Sequence, residues 1–197
     1  MIIEREEWRE NDLYFDFSKA VSVIKLDSLE HGLSHHMKAV DFVVEWQNQY
    51  WLIEVKDPEN STIPQEKRIN SMNSFSDKML SGSIMKQHLS PKFRDSLVYL
   101  GLDRGIPSKS MRYYALIGIE SLDPLMLNSL ADTFRQQDPV ICGPKKGWTK
   151  SFEFRIFNIA LWNKYMPNCP VFRVGAGFLN QTTTSMNGST AINKNLA

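Results

Sequence analysis

The stretch VDFVVEWQNQYWLIEVKDP, residues 40–58, reads as two strands joined across a polar pair. Successive side chains of a strand point to opposite faces, so residues two apart share one. A two-residue turn, either Gln47-Asn48 or Asn48-Gln49, sets Asp41 opposite Glu54 or opposite Lys56 respectively. Both registers gather Asp41, Glu54 and Lys56 on one face. The other face then holds Phe42, Val44, Trp46, Trp51, Ile53 and Val55, all apolar, as a core-facing surface requires. A three-residue loop without a bulge would turn Asp41 to the wrong side and spoil both faces. The polar face also carries Val43 and Leu52. A hairpin that merely showed Asp41, Glu45, Glu54 and Lys56 to water as cross-strand ion pairs would have no use for them. The pattern predicts a partial helical cover over the charges.

Two carboxylates and an ammonium at the end of one hairpin make a set of hard oxygen ligands beside a point charge. Mg²⁺ takes one or two carboxylates together with waters and substrate phosphate oxygens. A lysine beside such an ion orients an attacking water and offsets charge on phosphorus. The chemistry implied is phosphodiester hydrolysis. Asp41, a twelve-residue spacer and Glu54-Val55-Lys56 resemble the PD-(D/E)xK nuclease superfamily, also called restriction-endonuclease-like. The resemblance is close over Val40 to Asp57 and elsewhere rests on the order of elements. Val40 stands where the motif name has proline. The resemblance implies an α/β fold with a central mixed β-sheet flanked by helices. It implies Asp41 and Glu54 as metal ligands for Mg²⁺ (or Mn²⁺), with the Val55 carbonyl as a further ligand and Lys56 as the catalytic lysine. Many members add an acidic residue from the preceding element, here Glu30 or Asp27. The activity implied is a metal-dependent endo- or exonuclease acting on nucleic acid, DNA ahead of RNA. The alternative is a non-catalytic or partner-dependent nucleic-acid-binding subunit of the same fold, within a homodimer or a larger defence or repair complex.

Other segments offer substrate contacts. His31, His35 and His36 fall in EHGLSHHMK, a loop broken by Gly32, and lack zinc-site spacing. His36 and Lys38, which lead into Asp41, are candidate phosphate contacts. GPKKGWTKS, residues 143–151, sets Lys145, Lys146 and Lys150 around Trp148, lysines for the nucleic-acid backbone and an aromatic to stack on a base. MKQHLSPKFR, with Lys86, His88, Lys92 and Arg94, reads as a solvated helix face broken at Ser90 and Pro91. Gln65 or Arg68, on the element after the lysine, are further substrate contacts. No nucleotide-phosphate loop and no GxSxG elbow occurs, which argues against ATP coupling and acyl chemistry.

The remaining elements alternate. Ala20 to Asp27 satisfies both strand and helix spacing. MRYYALIGIE predicts an internal strand, and SLDPLMLNSLADTFRQQ a helix capped by Asp123 or Ser121, with Pro124 in its first turn. FEFRIFNI and PVFRV follow as strands, with a short helical piece around Trp162 between them. One α/β domain over residues 1–178 and a flexible tail over 179–197, rich in Thr, Asn and Ser, are expected. At 197 residues and 42% hydrophobic content the chain can bury a substantial core. A net charge of +1 gives no global attraction to polyanions, so any nucleic-acid contact must come from a local patch. Cys142 and Cys169 are too few for a disulfide framework. With no apolar run of about 18 residues and no signal core, a cytoplasmic protein away from membranes is expected.

Overall fold

The computed structural model describes residues 5–28, 37–105, 108–138, 141 and 152–174. The expected tail, Glu30, His36 and the Lys145–Lys150 loop with Trp148 lie outside the described residues.

The hairpin forms as the pattern requires. Strand β4 (Phe42–Glu45) pairs antiparallel with β5 (Gln49–Lys56), Phe42 opposite Ile53, and the Trp46 N–H donates to the Gln49 carbonyl at 2.8 Å. The turn is therefore Gln47-Asn48, and continuing the register sets Asp41 opposite Glu54. The segment Ala20 to Asp27 resolves as strand β3 (Ser22–Lys25), antiparallel to β4. On the other side β5 runs parallel to β6 (Ser110–Ile117), and β6 parallel to β7 (Phe152–Asn158). The result is one five-stranded mixed sheet, in the order β3-β4-β5-β6-β7. Parallel neighbours need long crossovers. Helices α1 (Gln65–Leu80) and α2 (Ser90–Arg104) make the first, and α3 (Pro124–Gln137) the second. Asp123 caps α3, its carboxylate accepting the Leu125 N–H at 2.9 Å.

Each face of the sheet has its own core. On one, Val43, Leu52, Tyr113, Ala115 and Phe154 meet Phe75 and Met79 of α1, Phe93 and Leu100 of α2, and Leu127, Ala131 and Phe134 of α3. Helices thus cover the face that bears Asp41 and Glu54. On the other, Phe42, Val44, Trp51, Ile53 and Val55 pack against Phe15, Phe17, Val171 and Trp162, with Trp46 at the margin. That side is closed by the short helix α4 (Ile159–Tyr165) and a second, three-stranded sheet in the order β1-β2-β8. Its strands are Arg9–Glu10, Leu13–Phe15 and Val171–Arg173. Cys169 is buried here with a free thiol.

One expectation needs correction. The helical run is not interrupted at Ser90 and Pro91; it breaks earlier, at Ser81 and Gly82, where Gly82 takes φ +67°. Through Met85–Leu89 the backbone forms a π-helical turn that flows directly into α2, with Pro91 in the first turn of α2. Proline has no N–H for the carbonyl four residues before it, and its ring crowds that carbonyl. The widened turn makes room, and the carbonyl concerned, that of Gln87, accepts Lys38 Nζ instead at 2.8 Å. No described helix is long and apolar enough to cross a membrane.

Candidate active site

Asp41 enters β4 from a segment pinned to α2. The Lys38 N–H donates to Asp95 Oδ2 at 3.0 Å and the Val40 N–H to Ser96 Oγ at 2.9 Å. A proline at position 40 would forfeit the second bond, a local physical reason for valine there. The Asp41 carbonyl accepts the Leu26 N–H at 2.9 Å, which extends the β3–β4 ladder, and its Oδ2 accepts the Val55 N–H at 2.5 Å. In an extended strand the carbonyl of a residue leaves on the same edge as its N–H, so the Val55 carbonyl is directed to the Asp41 side.

Glu54 is wholly buried and Asp41 is 4% exposed. Lys56 Nζ lies 2.6 Å from Glu54 Oε1. The three residues read from the hairpin therefore stand together. A fourth joins them that the pattern did not assign to the site. Lys92 Nζ is 3.0 Å from Glu54 Oε1, 3.3 Å from Asp41 Oδ1 and 3.3 Å from Asp27 Oδ2. Reading Lys92 as part of a solvated face is thus corrected: its side chain is only 16% exposed. A signal for this exists in the sequence. Lys92 falls on the stripe Leu89, Phe93, Ser96 and Leu100, which is the buried side of α2 and its π turn, and a charge on a core-facing stripe needs partners.

Electrostatics follow from this crowding. Burial, and then the neighbouring charge of Glu54, push the Asp41 carboxyl up to about 8 against the pull of Lys92. Burial likewise raises Glu54, in spite of Lys56 and Lys92. The same two ions hold Lys92 above the ordinary ammonium range although burial opposes its charge. Beneath them Tyr113 stacks on Phe93 with centroids 4.7 Å apart and donates its hydroxyl to the Leu89 carbonyl at 3.0 Å. Its phenol is raised by burial and by the charges of Glu54 and Asp41.

Among the described residues neither Glu54 oxygen has a partner in proper hydrogen-bond geometry, close as the two ammonium groups are to Oε1. Buried carboxylate oxygens left so are rare in folded proteins and mark a strained or functional position. Among the described residues no three His, Cys, Asp or Glu side chains stand close enough to share a metal ion as they are. A Mg²⁺ ion needs only one or two carboxylates from the protein. The Asp41–Glu54 pair, with spare lone pairs on Glu54 and a carboxyl at Asp41 that resists ionising without a cation, fits that demand.

Beside Lys56 the surface opens into a cleft of about 220 Å³, lined by Lys56, Asp57, Pro58, Ser71, Ser74, Phe75 and Lys78. Ser71, Ser74 and Lys78 recur at helical spacing along one side of α1. His88 is depressed by burial and then by the charges of Lys56, Lys78, Lys38 and Lys92. Lys56 and Lys78 line the cleft, and with Lys38 and Lys92 they make its surroundings positive at His88. Lys78 was missed because it lies in an unremarkable polar stretch. Arg68 is engaged elsewhere, donating to the carbonyls of Ile63 and Ser61, and Gln65 is exposed at the start of α1. Comparison with protein-family models, with curated proteins and with solved structures finds no match to this chain.

Proposed function

We propose that the chain is a divalent-metal-dependent nuclease of the restriction-endonuclease-like fold, hydrolysing phosphodiester bonds of nucleic acid, with DNA ahead of RNA as substrate. One observation carries the reading: the Gln47-Asn48 turn sets Asp41 opposite a fully buried Glu54, with Lys56 two residues on, under a helical cover. Burying two carboxylates this way is costly, and such perturbed groups gather where function requires them.

In this reading Asp41, Glu54 and the Val55 carbonyl would hold Mg²⁺ or Mn²⁺, which when bound supplies Lewis-acid polarisation of the phosphoryl group. Lys56 lines the cleft while touching Glu54. From there it orients the attacking water and offsets negative charge as that oxygen bonds to phosphorus and the bond to the leaving sugar oxygen breaks. Lys78, which lines the cleft, and Lys38, on the segment leading into Asp41, neutralise the non-bridging oxygens of neighbouring phosphates without reading sequence. A neutral chain overall needs such a local patch.

The test is cleavage of supercoiled and linear duplex, single-stranded DNA and RNA by wild type and Glu54→Ala, with Mg²⁺ or Mn²⁺. We expect cleavage by wild type and a loss of at least about 10²-fold in the variant. Equal activity in the two would sink the reading. A partner-dependent binding subunit is favoured instead by the lodging of Lys92 among the carboxylates, and predicts silence from wild type on every substrate with Mn²⁺ uptake retained.

A further inference from the structure

Three carboxylates converge on one ammonium. The Nζ of Lys92 stands within 3.0–3.3 Å of oxygens from Glu54, Asp41 and Asp27. Its tetrahedral head donates to Asp41 and Asp27, while Glu54 is held by charge at 3.0 Å. Lys56, by contrast, has its ion pair among the described residues with Glu54 and lines the open cleft. The two lysines are therefore not equivalent: one faces the substrate side, the other fills the centre of the acidic cluster.

That centre is where a hard cation would bind. Metal–oxygen distances for Mg²⁺ are about 2.0–2.1 Å, so the ion would need the same oxygens drawn inward. An ammonium and a divalent cation cannot share that space, because like charges at a few ångströms repel strongly in a dry interior. Charge also favours the exchange. Three carboxyl groups, those of Asp27, Asp41 and Glu54, face two ammonium groups, those of Lys92 and Lys56, and Glu54 Oε2 has no hydrogen-bond partner among the described residues. A divalent ion brings one unit of charge more than the ammonium it replaces; a monovalent ion brings none.

We propose that Lys92 is a built-in occupant of the divalent-cation site. In the metal-free chain its ammonium keeps Asp27, Asp41 and Glu54 together, and Mg²⁺ or Mn²⁺ enters by exchange with it, releasing the lysine towards solvent. The inference rests on the divalent-cation reading of the Asp41–Glu54 pair. The side chain is suited to leaving: it is a flexible four-carbon stem, already 16% exposed, and Asp27, the outermost partner, is 48% exposed. The exchange gives the site selectivity for divalent over monovalent cations and stability in the absence of metal.

The experiment is competitive acylation of wild-type protein with acetic anhydride, read by mass spectrometry at Lys92 against the exposed Lys67, with Mn²⁺ uptake followed by calorimetry. If the free amine is a minor state of at most roughly 10% before metal, saturation with Mn²⁺ raises Lys92 labelling by about tenfold or more, and potassium at equal ionic strength does not. Mn²⁺ uptake with unchanged Lys92 labelling would overturn the exchange and leave the metal site standing. An equal rise with potassium would overturn it too, as simple screening. Lys92→Met, or Lys92→Gln should the first not fold, completes the test. Tighter uptake by the variant than by wild type supports the exchange, whereas uptake by the variant alone overturns it, the ammonium then blocking the site instead of yielding it. Uptake by neither overturns the exchange together with the metal site itself.

Discussion

Two acidic clusters sit next to each other in this fold, and they treat buried charge in opposite ways. Lys56 and Asp57 are adjacent in sequence and serve different clusters. The first is Asp41, Glu54, Lys56 and Lys92. In the second, Arg173 of β8 holds Asp57 bidentately at 2.8 and 2.9 Å, donates to Asp12 at 2.9 Å, and caps the Gly118 carbonyl at 2.6 Å. The remaining Asp12 oxygen takes the Ser61 N–H at 2.9 Å. A planar guanidinium has five donors in a fixed fork, and here its four terminal N–H groups are matched to acceptors. Burial works against the Asp12 charge, but the hydrogen bonds of Ser61 and the Arg173 cation outweigh it, and the carboxyl is lowered. Burial raises Asp57 against the pull of Arg173. The second cluster is closed by hydrogen bonds. The first is served by two ammonium point charges and leaves Glu54 without a hydrogen bond among the described residues. The difference separates a latch that joins two sheets from the site for which a divalent cation is proposed.

Substitutions should pull the two apart. If the proposed nuclease activity holds, Lys56→Ala should lower cleavage by roughly 10²- to 10⁴-fold with little loss of stability, since the side chain lies at the cleft. A comparable fall in melting temperature would make Lys56 structural and erase the contrast. Arg173→Met should do the reverse, costing about 3–5 kcal/mol by stranding buried Asp12 and Asp57, with turnover per folded molecule preserved; denaturant midpoints and active-site titration read the two effects. Gly118→Ala should act as a milder Arg173 variant, by about 1–3 kcal/mol, because a methyl at that position would run into the Asp57 carboxylate. Stability unaffected by it would mean that the latch carries little energy.

The pH dependence has a worked sign. The Asp41 carboxyl is raised from 3.8 to about 8, so between those values the folded chain binds more protons than the unfolded one. Stability of the metal-free protein should therefore fall as pH rises through that window, by up to roughly 1.4 kcal/mol per unit. Saturating Mg²⁺ should flatten the slope, and unfolding curves with and without metal would show whether it does. Asp12, lowered in the fold, contributes in the other direction, its share being lost as pH falls below the ordinary carboxyl range. The smallest effect is expected at Lys78. Its replacement by alanine should weaken binding of duplex DNA evenly across sequences and reduce the salt slope by about one unit, measured by anisotropy. An unchanged slope would remove the cleft from the substrate path.

The site's first layer was legible because it is local. A two-residue turn and strict alternation fix Asp41, Glu54 and Lys56 on one face, and Val43 with Leu52 betrays the helical cover. Lys92 was not read because Pro91 looked like a stop, whereas a π turn absorbs it and carries the stripe onward. Nothing in the local pattern of Leu13–Phe15 or Val171–Arg173 announces that they pair, since that contact is set by the tertiary fold. The latch was invisible for the same reason. Neither Asp12 nor Asp57 can be told from an ordinary loop carboxylate until Arg173 arrives.

That arrival has a consequence in time. The carboxylates and lysines of the site lie between Asp27 and Lys92, whereas Asp12 waits for a partner 161 residues further along. Contacts of such long separation carry the largest loop-closure cost and tend to form late. We therefore expect the β2–β8 sheet and its guanidinium clamp to close after the hairpin and its helices, as the last act of folding. In stopped-flow measurements Arg173→Met should then hasten unfolding while leaving the refolding rate nearly untouched. The clamp would thus act chiefly on how long the native chain survives.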